Sequence, residues 1–79
     1  MRTIAQQWAL FERLVMPPGA GQMQRQEMRR AFYSGFQASL NVGVEIAAAD
    51  MSDEAGAAVL QGLHEECRLF CAEIQAGRA

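Results

Sequence analysis

From position 31 to position 47 every fourth residue is small: Ala31, Gly35, Ser39, Gly43 and Ala47 form one unbroken i, i+4 column. On a helix such a column is a channel. Side-chain ridges of a second helix settle into rows where side chains are short, with a crossing angle of about −50° expected. Each of the two glycines costs a helix roughly 1 kcal/mol relative to alanine, a loss that close backbone approach offsets. The chain is therefore expected to bring a second helix backbone against the column, from the same chain or from another copy.

Around this column the apolar spacing predicts an all-α protein of three helices, about 4–15, 22–49 and 52–76, in one small domain spanning residues 1–79. Thr3 and Gln6 fit a capping box, and Ile4, Trp8, Phe11 and Val15 follow at helical spacing, with Trp8 and Phe11 as core anchors. The run Met16-Pro17-Pro18-Gly19-Ala20-Gly21 ends that helix, because proline removes amide donors and disfavours helical angles in the residue before it. Met28, Phe32, Phe36, Leu40 and Val44 then make a second i, i+4 column, with Asn41-Val42-Gly43 its weakest stretch and a place to kink or stop. Ser52 caps a third helix whose first turn holds Asp53 and Glu54, and Val59, Leu63, Cys67, Phe70 and Ile74 form its seam up to Gly77. No stretch alternates long enough to propose a strand.

A chain of 79 residues buries little core, and two cysteines supply no disulfide framework, so a homo-oligomer is expected to complete the bundle. A net charge of −2 argues against general nucleic-acid binding and against an anionic membrane surface. The longest uncharged stretch, Ala31 to Val44, is 14 residues and includes Gln37 and Asn41. That is short of the roughly 20 apolar residues a bilayer span needs, so no membrane partner is expected. Arg2, Glu12 and Arg13 near the start argue against a secretory leader, which leaves a cytoplasmic protein with reduced thiols as the expectation.

All seven basic residues are arginines, whose planar fork suits carboxylate and phosphate. Arg25, Arg29, Tyr33 and Gln37 form an i, i+4 line beginning about 160° around the helix from Ala31. Arg25 and Arg29 suit phosphate oxygens, Tyr33 a stacked base and Gln37 a base edge. With the adjacent Arg30 they are the candidate ligand-binding residues for a cyclic nucleotide or another anionic small molecule. Symmetry-related copies would gather these arginines into inter-subunit pockets. The competing reading is a solvated face in which Arg30 pairs with Glu27 at i+3.

His64, Cys67 and Cys71 share a face of the third helix, but zinc sites take four ligands, so the thiols are expected in the core and no metal or cofactor is called for. Glu65 and Glu66 are neighbours whose directions differ by about 100°, so they do not converge on one atom. With one histidine and no lysine, no set of nucleophile, base and orienting group can be assembled, and the chain is read as non-enzymatic. The loop Pro18-Gly19-Ala20-Gly21 lacks the Gly-Lys-Ser/Thr ending of a phosphate cradle.

Pro17-Pro18-Gly19-Ala20 followed by Glu27-Met28-Arg29-Arg30-Ala31-Phe32-Tyr33-Ser34-Gly35 resembles a family of small uncharacterised α-helical proteins from bacteriophages and proteobacterial prophages. The likeness covers about half the chain and centres on Arg29, Arg30, Phe32, Tyr33 and Gly35. It implies a phage protein that counters host defence by stoichiometric binding, by analogy with oligomeric sponges that sequester cyclic-nucleotide signals. The other expectation from the same resemblance is an interaction module that inhibits a host protein or supports a phage assembly.

Overall fold

A computed structural model describes residues 1–79 and contains three helices: α1 (Ile4–Leu14), α2 (Gln22–Ala48) and α3 (Asp53–Gln75). The all-α expectation holds, with each boundary within one residue of its predicted place. The chain divides into two compact units, Met1–Val44 and Glu45–Ala79, and α2 continues from the first into the second.

In the first unit α1 opens with the predicted capping box. The Gln6 amide donates to Thr3 Oγ1 at 3.1 Å and the Thr3 amide to Gln6 Oε1 at 2.8 Å, so two amides with no helical partner are satisfied reciprocally. Val15 caps the other end, donating its amide to the Phe11 carbonyl. The Pro-Pro-Gly segment turns tightly, with the Ala20 amide donating to the Pro17 carbonyl, and Met16 is buried beneath it. Trp8 is 7% exposed and lies 5.7 Å from Phe11 and 5.5 Å from Phe32, centroid to centroid. Phe11 and Phe32 are 5.3 Å apart, and Phe36 lies 6.4 Å beyond Phe32. Stacked, tilted and edge-on ring contacts of this kind each contribute about 0.5–1.5 kcal/mol beyond the area they bury.

That cluster covers only the first part of the Met28–Val44 column: Phe36 is half-buried, whereas Leu40 is 50% and Val44 67% exposed. The helix neither stops nor breaks at Asn41-Val42-Gly43, and Gln37 Nε2 bridges one turn there to Asn41 Oδ1 at 3.0 Å. The small-residue column from Ala31 to Ala47 stands open. All five of its residues are exposed, and a Cβ added to Gly35 or Gly43 would meet nothing within 4 Å. Within Met1–Val44 no side chain or neighbouring backbone lies over the column at Gly35 or Gly43.

In the second unit α2 ends in a turn at Ala49-Asp50, where Asp50 takes φ 51°, a left-handed conformation that aspartate tolerates better than most side chains. Ser52 then caps α3 by accepting the Ala55 amide at 3.1 Å, with Asp53 and Glu54 on the positive end of the helix dipole. Close approach falls to Gly56, which is buried: a Cβ there would lie 3.3 Å from Ile46 Cγ2 and 3.9 Å from Met51 Sδ. Nothing in the periodicity singled out Gly56, because its neighbours become apparent only once the Asp50 turn is made. At the far end Gly77 takes φ 75°, and the Arg78 amide reaches back to the Glu73 carbonyl at 2.9 Å, closing the helix in a Schellman arrangement. The α3 seam is not a core. Leu63, Phe70 and Ile74 are exposed, and Cys67 and Cys71, expected to be buried, are exposed thiols. A seam needs a covering surface, and periodicity alone does not supply one. No helix is long and apolar enough to cross a membrane.

Candidate functional site

The five candidate ligand residues separate into three roles. Arg25 is turned back onto its own unit: Nε donates to the Ala20 carbonyl at 3.2 Å and a terminal nitrogen to Glu12 Oε2 at 3.2 Å, fastening α1 and the proline loop to the start of α2. Sequence spacing placed Arg25 on the ligand line, but the turn brings Glu12 and Ala20 within its reach first. Gln37 is engaged with Asn41, one turn further along α2.

Arg29, Arg30 and Tyr33 remain together. With Gln26 they line an open depression of about 420 Å³ on α2. Gln26 was not singled out by the i, i+4 line, yet it lies three and four residues before the two arginines and so shares their side of the helix. Tyr33 is half-buried, its ring 6.4 Å from Phe32 and nearly edge-on to it, so the aromatic cluster holds the phenol in place. The Arg29 guanidinium lies 5.6 Å from the Tyr33 centroid, within the range of cation–π attraction.

Charge distinguishes the two arginines. Arg30 pairs with Glu27 at 3.5 Å across an exposed i, i+3 step, a contact contributing about 1 kcal/mol or less. Arg29 has no carboxylate within ion-pair distance, whereas Arg25, Arg30, Arg68 and Arg78 each have one. It also borders a second depression, of about 270 Å³, shared with Trp8, Glu12 and Arg25. Arg29 thus combines an unneutralised charge, donors open to solvent and an aromatic ring beneath it. An anion can be met by the fork of Arg29, and a planar base can extend the stack on the outer face of the guanidinium.

A larger depression of about 690 Å³ lies along α3, lined among others by Leu60, His64, Glu65 and Arg68. Arg68 chelates Glu65 there with contacts of 2.6 and 2.8 Å, which holds the Glu65 carboxyl below the usual range and raises the Arg68 guanidinium. Both charges are therefore satisfied locally. No group of three or more His, Cys, Asp or Glu side chains, His64, Cys67 and Cys71 included, is arranged to hold a metal ion. No family model, curated protein or solved structure matches the chain.

Proposed function

We propose that this chain is a non-enzymatic binding protein that holds an anionic, nucleotide-like ligand at Gln26, Arg29, Arg30 and Tyr33. The observation that carries the reading is Arg29, an arginine without a carboxylate partner, stacked beside a half-buried tyrosine at the edge of a depression. Arg25 is removed from the ligand set by its bonds to Glu12 and Ala20, and Gln37 by its bond to Asn41. Self-association of copies would multiply the site, and sequestration of a signal such as a cyclic nucleotide, by analogy with oligomeric phage sponges, would need no chemistry beyond binding.

Native mass spectrometry against a panel of cyclic mono- and dinucleotides, followed by calorimetry on the best ligand, tests the reading. Arg29→Ala is expected to weaken binding by about 1.5–3 kcal/mol, or roughly 10- to 100-fold, with helicity unchanged. Failure of every anion in the panel to bind, or equal affinity in the variant, sinks it.

One observation favours a second reading. The apolar side chains of α3 stand exposed in a row, the form of an amphipathic helix that seats in a protein groove. On that reading the chain is an interaction module that inhibits a host protein or supports a phage assembly, and a pull-down would recover a specific partner while nucleotides are ignored.

A further inference from the structure

Arg29 borders two depressions, and only one of them enters the proposed function. The second, of about 270 Å³, lies within Met1–Val44 where α1 meets the start of α2, and is lined by Trp8, Glu12, Gln22, Arg25, Gln26 and Arg29. Helical spacing assembles this lining. Trp8 and Glu12 are one turn apart on α1, and Gln22, Arg25, Gln26 and Arg29 stand at i, i+3, i+4 and i+7 on α2. Gln26 and Arg29 also line the first depression together with Arg30 and Tyr33, so these two side chains are the wall shared by both.

The two sides of that wall differ in chemistry. On the Tyr33 side the charged groups are two arginines, which suit an anion. On the Trp8 side stands a carboxylate. Glu12 is partly buried, and its Oε2 accepts from Arg25 at 3.2 Å while its Oε1 accepts no hydrogen bond. Arg25 is tied in turn to the Ala20 carbonyl, so the acceptor is held in place from the loop side. The buried Trp8 adds apolar surface to the lining.

We infer that the Glu12 depression takes the base of the ligand whose anionic group meets Arg29, and that this base is guanine. The placement rests on the anion site of the proposed function and names the nucleotide that site would hold. Guanine presents a ring N–H beside an exocyclic amino group on one edge, two parallel donors that the two oxygens of one carboxylate accept as a pair. Each carboxylate oxygen has two acceptor positions, so Oε2 keeps its bond from Arg25. Adenine and cytosine set a ring-nitrogen acceptor beside their amino group, and uracil flanks its N–H with carbonyls, so each would turn a lone pair toward Glu12. The spacing agrees. Glu12 lies at the level of Arg25, and Arg29 and Arg30 follow four and five residues later, about 6–8 Å along α2. That is the gap a ribose bridges between base and phosphate.

Calorimetric titration of the full chain with the cyclic monophosphates of guanosine, inosine and adenosine, and with inorganic phosphate, is the test. Inosine differs from guanosine only in lacking the amino group. The guanosine form is expected to bind tightest, the inosine form about tenfold more weakly, the adenosine form more weakly again and phosphate weakest of all. Glu12→Gln keeps an oxygen to accept from Arg25 but turns an N–H donor toward the base, so it is expected to preserve helicity by circular dichroism and to collapse the guanosine–inosine difference. Arg29→Ala is expected to weaken all three nucleotides together and to keep their order.

Equal affinity for the guanosine and inosine forms in the unaltered protein overturns the inference and leaves Arg29 an anion site, as does phosphate binding as tightly as the nucleotides. A full guanosine preference retained in Glu12→Gln overturns it too. Absence of binding by all four probes overturns the anion site itself. The guanosine–inosine comparison uses no variant, so it decides the matter even where Glu12→Gln loosens the contact between α1 and α2.

Discussion

In Met1–Val44 the aromatic side chains Trp8, Phe11 and Phe32 of α1 and α2 lie against one another, whereas in Glu45–Ala79 the large apolar side chains Leu60, Leu63, Phe70 and Ile74 stand in solvent. Both regions carry strong helical periodicity and both have well-formed caps. The difference is that α1 folds back to cover the Phe32–Phe36 part of its neighbour, while in the second unit the residue that is buried is Gly56, beside Ile46. Burying a large apolar side chain contributes about 1.5–3 kcal/mol, and the exposed residues of α3 obtain little of this within the single chain. The first unit is therefore held by packing and the second by its caps, the Arg68–Glu65 and Arg78–Glu73 pairs and helix propensity.

The widest separation between the units is expected from two aromatic truncations measured at high dilution. Trp8→Ala removes the ring that contacts both Phe11 and Phe32 and is expected to cost about 3 kcal/mol or more. Phe70→Ala, on a ring 59% exposed, is expected to change stability by less than about 0.5 kcal/mol. Thermal melts followed by circular dichroism check both. Equal losses would mean that α3 is covered in the dilute chain and would abolish the contrast.

Glycine gives the next test, with opposite signs in the two regions. Gly35 stands in open space, so Gly35→Ala is expected to stabilise the dilute chain by about 0.5–1 kcal/mol through helix propensity. Gly56→Leu would drive a branched side chain into Ile46, already 3.3 Å from the position of a Cβ, and is expected to cost about 1–3 kcal/mol. Denaturant titrations of the two variants should shift in opposite directions.

These pairs also show what could be read in the chain beforehand. Helix number, the capping box at Thr3, the Ser52 cap and the stop at Gly77 are local, each decided by a few neighbouring residues, and each was legible. The Arg30–Glu27 pair, one i+3 step, was legible for the same reason. Burial was not. Val59, Leu63, Cys67 and Phe70 follow the same spacing as the covered Phe32 and Phe36, and spacing describes a face without naming what covers it. At the candidate site the Arg29–Tyr33 neighbourhood follows from an i+4 step, but the diversion of Arg25 required the Pro17–Gly21 turn to bring Glu12 and Ala20 to it, a contact thirteen residues long in sequence for Glu12.

The smallest effect concerns how far α3 depends on surface charge in place of a core. Arg68 chelates Glu65 through two contacts, and this hydrogen bonding lowers the carboxyl below its ordinary value, outweighing a slight opposing effect of desolvation. A depressed folded-state value means that the stabilisation is fully present above the ordinary glutamate range and is lost as pH falls through the lowered value. The pair is exposed, so added salt should reduce it as well. Glu65→Gln cannot ionise at this position, so the wild type is expected to exceed it slightly in helicity at neutral pH and to converge on it in acid. A helicity gap that stayed constant from neutral to acid would show that the ion pair contributes nothing and that propensity and caps alone sustain α3.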